Sequence, residues 1–251
     1  SDNQTIPSHF NSLTNIPVYN FGETAWTSRH SLNQLINAIG DNKKPLVVIF
    51  YDGVNDVISQ CRSEIKILPA HNREKRIQNA LKPLPIQERI SKYILSPYIA
   101  IYRKFSIQFP VVNRSKSKAY YDCDTNQAKA LSIAQHLVNN WYTAHALSKS
   151  KSFEFYGILQ PTLFTTQTNS EYFSPLVVKN NSELEIQYGI VYSQILKEIG
   201  RYCEYDKDFC NSLINGTDWL DGTNNIFIDF CHLNSLGNKV IAQRLKSLLK
   251  K

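Results

Sequence analysis

Pro45-Leu46-Val47-Val48-Ile49-Phe50-Tyr51 is an unbroken apolar run, and Asp52-Gly53-Val54-Asn55-Asp56 follows it directly. Seven such residues without polar alternation predict a strand covered on both faces, as the strands of parallel sheets are. The glycine and polar residues behind it predict a sharp turn at the strand's carboxyl end. Outward from this run, residues 16–21, 153–159 and 226–230 read as further short strands. Helical periodicity separates them. It runs over 28–39, with Leu32, Leu35, Ile36 and Ile39 on one face, and over 126–149, 184–202 and 236–249. Strands alternating with helices predict a three-layer α/β/α, flavodoxin-like fold whose sheet is mostly parallel.

The chain has 251 residues, 42% hydrophobic and 12% aromatic, which fits one domain over 1–251 and excludes wholesale disorder. No window approaches eighteen consecutive apolar residues, so the sequence contains no transmembrane helix. It has no Met and starts Ser1-Asp2-Asn3, which suggests a processed or partial form of a longer protein.

The net charge of +7 is concentrated in one place. Residues 71–118 hold eleven Lys or Arg against Glu74 and Glu88 only; the other residues hold 17 basic and 19 acidic groups. The same stretch interrupts the strand–helix alternation with helical patterns at 73–81 and 87–105, split by Pro83 and Pro85. Tyr93, Tyr98, Tyr102, Phe105 and Phe109 lie among its Ile and Leu. It reads as a basic, aromatic, helical insertion. Its aromatics can pack on the domain with the cations solvated, or it can contact a membrane surface or an acidic polymer. No nucleic-acid motif accompanies the charge, and no such partner is expected.

Five cysteines, Cys61, Cys123, Cys203, Cys210 and Cys231, form no CxxC pair. Cys203 and Cys210 flank a short polar loop that a disulfide can close, Cys61 and Cys123 are a second candidate pair, and Cys231 is left as a thiol. Two bridges and one thiol suit an extracytoplasmic compartment (periplasmic, secreted or membrane-anchored), whereas five reduced thiols would suit the cytosol; the extracytoplasmic setting is expected. No cluster of His, Cys or carboxylates has metal-ligand spacing, so neither a metal nor another cofactor is expected.

Three patterns sit where open α/β sheets build sites, beyond the carboxyl ends of strands. Gly22, in Asn20-Phe21-Gly22, follows the first predicted strand and can aim an N–H at a ligand, although a tight βα turn also calls for Gly. Asn55 follows the central run, where its amide can donate to a developing oxyanion with Gly53 turning the chain. Asp56 beside it reads as a loop or helix cap. Asp229-Phe230-Cys231-His232 precedes the last helix, and there Asp229 can hold the His232 tautomer while the other ring nitrogen acts as general base. His9, His30, His71, His136 and His145 have no comparable setting.

In this order the three patterns resemble the SGNH (GDSL-like) hydrolase and acyltransferase superfamily. Gly22 matches its Gly block, Gly53-Val54-Asn55-Asp56 its Asn block, and Asp229-Phe230-Cys231-His232 its Asp-x-x-His block. Thr5-Ile6-Pro7-Ser8-His9-Phe10 is similar to the segment behind the first block in membrane-linked bacterial members. The resemblance implies a serine esterase acting on an O-acyl, chiefly acetyl, ester of a small molecule or a glycan. His232 and Asp229 would be catalytic, with Gly22 and Asn55 as the oxyanion hole. The runner-up reading is an O-acyltransferase on a surface polysaccharide using the same residues, and a separate alternative, without a nucleophile, is a non-catalytic module. The family's Gly-Asp-Ser or Gly-Gly-Ser turn is not in this sequence. Ser8, after Pro7, and Ser28, which reads as an N-cap, do not replace it. The nucleophile and its strand are expected upstream of Ser1, that strand lying between the 16–21 and 45–51 strands.

Overall fold

The computed structural model describes residues 2–69, 77, 81, 120–167 and 182–249. The chain divides into two compact units, Ser1–Ala70 with Tyr121–Lys251, and His71–Tyr120. Of the second unit only Tyr120, exposed, and two exposed helical residues, Ile77 and Leu81, are described. The insertion and helices predicted within 71–118 otherwise lie outside the described residues.

The first unit runs α1 (Ile6–Thr14), α2 (Ser28–Gly40), β1 (Val47–Asp52), α3 (Val54–Gln60), α4 (Gln127–Lys151), β2 (Glu154–Leu159), α5 (Ser182–Tyr205), α6 (Lys207–Asn211), β3 (Leu213–Asn215) and α7 (Ser235–Leu248). The sheet is parallel in the order β1-β2-β3. Val47 pairs with Glu154 at one end of β1 and Asp52 with Leu159 at the other. Side-chain alternation divides the core between its faces. Phe50, Phe155 and Leu159 join Leu35 of α2, Val57 of α3, Leu137 and Trp141 of α4 and Tyr188 of α5. Ile158, with Ile49 and Tyr51, joins Phe10 of α1 and Ile241 and Leu245 of α7. Helices cover both faces, the α/β/α arrangement read from the sequence. Each fully buried Leu or Ile contributes about 1.5–3 kcal/mol.

Helix α4 contributes more to the first cluster than any other element because its small and large apolar residues recur at helical spacing: Ala130, Ile133, Ala134, Leu137, Val138, Trp141 and Ala144 are all fully buried. Trp141 lies against β2 at Gly157, where a Cβ would come within 2.7 Å of its indole. The indole Nε1 donates to Asp52 Oδ2 at 3.0 Å, fixing the carboxyl end of β1 to α4.

Three expectations need correction. Residues 16–21 form no strand, and Ile16, Val18, Tyr19 and Phe21 are exposed; among the described residues β1 has a ladder partner on its β2 side only. Residues 226–230 form no sheet strand either. A single antiparallel bridge, Phe227 to Leu233, closes a tight loop there, since Ile228 N–H donates to His232 O at 2.7 Å. The third strand is Leu213–Asn215, whose three residues are too short for periodicity to register. At α2 the N-cap is Thr27 rather than Ser28.

Both disulfides are formed, Cys61–Cys123 and Cys203–Cys210, and Cys231 is free. No helix among the described residues is long and apolar enough to cross a membrane.

Candidate active site

The Asn55 end of the site is built from β1 outward. Gly53 is the N-cap of α3 at φ +122°, a backbone state side chains rarely adopt, and a Cβ there would come within 2.7 Å of Leu159 Cδ1. Only glycine lets the chain turn here from strand to helix, and the turn leaves Asn55 half-buried in the first turn of α3. Among the described residues nothing hydrogen-bonds the Asn55 amide.

Behind Asn55, Asp56 is buried and points away from solvent rather than capping α3. Its carboxylate accepts from Ser28 Oγ at 2.7 Å and Ser28 N–H at 3.0 Å, and Asn140 Nδ2 donates to the same Ser28 Oγ at 2.9 Å. The start of α2 is thereby clamped to the turn carrying Asn55. Ser28 itself is fully buried and committed to this carboxylate. Ser8 Oγ accepts from Thr5 Oγ1 at the start of α1. Asp52, also buried, accepts from Ser31 Oγ at 2.9 Å and from Trp141. Burial raises both carboxyls, Asp52 to about 6 and Asp56 to about 7; the charge of Asp52 adds to the rise of Asp56.

The other end of the site is the loop before α7. Asp229 Oδ1 accepts the N–H groups of Cys231 at 2.9 Å and His232 at 2.7 Å, an Asx turn that folds the loop back on itself. Its Oδ2 lies 2.7 Å from His232 Nδ1. Burial works to raise the Asp229 carboxyl, but these hydrogen bonds and the imidazole prevail and hold it below the ordinary range. The His232 side chain is 73% exposed. With Nδ1 on the carboxylate, Nε2 is the nitrogen left for a substrate, and among the described residues nothing bonds it.

Aromatic side chains that sequence reasoning did not single out join the two ends. Tyr188 Oη donates to Val54 O at 2.8 Å, while its ring packs on Phe230 with centroids 5.8 Å apart. Phe230 O accepts from Leu163 N–H, just beyond β2. Tyr192 Oη donates to Gln160 O at 3.0 Å and would meet a Cβ at Gly53. The signal in the sequence was two tyrosines four apart on one helical face. Burial first, and then Cys231, push the Tyr51 phenol above its usual range.

Gly22 is the predicted site residue least tied to this arrangement. It lies in an exposed loop, and its N–H donates to Asn20 Oδ1 at 3.0 Å. The asparagine would have to release that N–H before it served an oxyanion. A cavity of about 290 Å³ lined by Ile65, Leu68, Asp122 and Lys129 lies elsewhere, with none of these site residues in its wall.

Tyr188 thus touches both the turn that carries the half-buried Asn55 and the loop that carries the carboxylate–imidazole pair. A family model described as GDSL-like lipase/acylhydrolase matches residues 1–245. The chain belongs to the GDSL-like lipase/acylhydrolase family. No curated protein matches it. As a GDSL-like acylhydrolase of the SGNH superfamily it belongs to the esterases, enzymes whose substrates are esters.

Proposed function

We propose that this GDSL-like acylhydrolase cleaves an O-acyl, chiefly acetyl, ester by serine chemistry, with Asp229 and His232 as the acid–base pair. The observation that carries the reading is the 2.7 Å contact between Asp229 Oδ2 and His232 Nδ1 in a loop that leaves Nε2 to solvent. Asp229 fixes the tautomer, and Nε2 takes the proton of the attacking serine and returns it to the leaving alcohol. Asn55 and the Gly22 N–H stabilise the tetrahedral oxyanion, with the serine's own N–H as third donor. The nucleophile lies upstream of Ser1, on a strand that extends the sheet beyond β1. Among the described residues β1 has a ladder partner on its β2 side only, and this and the exposed apolar residues at 16–21 support that placement. The substrate is a small acyl ester or an O-acylated glycan. If a sugar hydroxyl rather than water enters, the same residues make the protein an O-acyltransferase on a surface polysaccharide; with no serine in place the fold is a non-catalytic module. The two disulfides favour an extracytoplasmic setting. There the basic segment 71–118 meets an acidic polymer or lipid headgroups.

The test is p-nitrophenyl acetate turnover by the protein carrying its upstream residues. His232→Ala is expected to lower kcat by about 10³-fold or more. Unchanged turnover refutes the assignment of His232.

A further inference from the structure

The geometry points to a second use of the dyad loop: Asp229, Cys231 and His232 form a binding site for a thiophilic divalent cation, Zn²⁺ foremost, whose occupancy switches the dyad off. Their donor atoms, one per residue, all lie within 4.8 Å of one another. Read along the chain, the three residues have no familiar ligand spacing; the Asx turn is what brings them to one point. Carboxylate, thiol and imidazole together suit zinc or copper, whereas magnesium and calcium prefer all-oxygen shells.

One donor–donor distance already has the length a tetrahedral ion needs, and a second needs a small opening. Cys231 Sγ and His232 Nδ1 are 3.6 Å apart. Two ligands bound to zinc at about 2.3 and 2.05 Å lie about 3.5 Å apart, so this edge already has its length. The Nδ1–Oδ2 separation, 2.7 Å, is that of a hydrogen bond. A zinc ion needs about 3.3 Å there, an opening of about 0.6 Å. The ring is free to make it, since most of the His232 side chain faces solvent. Asp229 is meanwhile anchored through its other oxygen by two backbone N–H groups, and Leu163 N–H holds Phe230 O. Part of the ordering cost is therefore met before an ion arrives.

The proton balance links occupancy to catalysis. Bonds form from the ion to Oδ2, Sγ and Nδ1. The Nδ1 proton moves to Nε2, the thiol proton leaves to solvent, and no oxidation state changes. An imidazole protonated at Nε2 cannot accept a proton from an alcohol, and Asp229, turned to the ion, no longer orients it. The site rests on the coordinates alone; its effect on turnover rests on the hydrolytic reading above.

Cys231 is the one cysteine outside the two disulfides, so a thiolate–metal signal reports on this loop and nothing else. The experiment titrates the oxidised protein with Co²⁺, reads the thiolate-to-cobalt charge-transfer absorption, and follows displacement by Zn²⁺. One equivalent of Co²⁺ is expected to produce the band. Cys231→Ser should abolish it and weaken Zn²⁺ binding at least tenfold by calorimetry. In the ester assay Zn²⁺ should inhibit the parent, chelator should restore it, and Cys231→Ser should resist Zn²⁺ relative to its own metal-free turnover. A parent without the band, or a Cys231→Ser variant that binds Zn²⁺ as tightly, overturns the site. Equal inhibition of both proteins overturns the switch. A parent that hydrolyses no ester refutes the hydrolytic reading, while the cobalt band still decides the site.

Discussion

Removing the Cys61–Cys123 disulfide is expected to cost far more stability than its sequence neighbourhood suggests. The two residues are 62 positions apart, while Cys203 and Cys210 are 7 apart. In the chain-entropy treatment a cross-link acts by restricting the unfolded ensemble, in proportion to the logarithm of the loop it closes. A 62-residue loop gives about 4 kcal/mol at 25 °C and a 7-residue loop about 2 kcal/mol. Cys61 and Cys123 are both fully buried, so alanine is the substitution that leaves no unsatisfied hydroxyl behind. Losing about 4 kcal/mol is severe in a domain whose total stability is on the order of 5–15 kcal/mol. The assay is urea unfolding followed by tryptophan fluorescence, with buried Trp141 as reporter. Cys61→Ala with Cys123→Ala should lower the midpoint and raise the m-value, because the uncrosslinked chain exposes more surface. Cys203→Ala with Cys210→Ala should do the same to about half the extent in free energy. If the short bridge proves the more valuable of the two, loop entropy is not what the long one supplies, and the reasoning fails.

The Asp52–Asp56 pair sets a pH dependence. Both carboxyls sit above their unfolded values, so the stability they contribute is complete below about pH 4 and is lost as pH rises through about 6 to 7. Asp56→Asn should remove on the order of 2–4 kcal/mol of the fall between pH 5 and pH 8 in chemical denaturation; an unchanged slope rules the pair out as its source. Gly157→Ala drives a methyl into the Trp141 indole and should destabilise by about 1–3 kcal/mol, visible as a lower Tm in calorimetry. Asn55→Ala should lower kcat for p-nitrophenyl acetate about 10²- to 10³-fold with KM little changed, and an effect confined to KM would argue for substrate binding instead.

What the sequence revealed depended on how far apart the contacting residues lie. The β1 and β2 runs and the long helices were legible because burial imposes a period on neighbouring residues. The Asp229–His232 pair was legible because both partners belong to one turn. The clamp between Ser28 and Asp56 spans 28 residues, and the bond from Trp141 to Asp52 spans 89, so no local pattern announced either. The failures have physical causes too. Residues 226–230 have strand composition, but the Asp229 carboxylate captures two backbone N–H groups and wins them for a loop. Residues 16–21 alternate like a strand, yet a strand exists only where a partner supplies hydrogen bonds, and among the described residues none does. The donor atoms of Asp229, Cys231 and His232 meet because of that same turn, which residue spacing does not register.

The chain leaves the folded unit after Ala70 and returns at Tyr121. Near that junction Asp122 N–H donates to Cys61 O at 2.9 Å, Arg62 bridges Tyr121, the disulfide joins Cys61 to Cys123, and Lys129 Nζ holds Asp122 at 2.7 Å. Helix α3, which carries Asn55, ends at Gln60, one residue before this fastening. Lengthening a segment whose ends are already fixed costs only a logarithm of its length, about 0.6 kcal/mol per doubling. The fastening thus acts as a socket. A change in the length of residues 71–118 is therefore expected to cost little stability, because the disulfide at Cys61 still holds the end of α3.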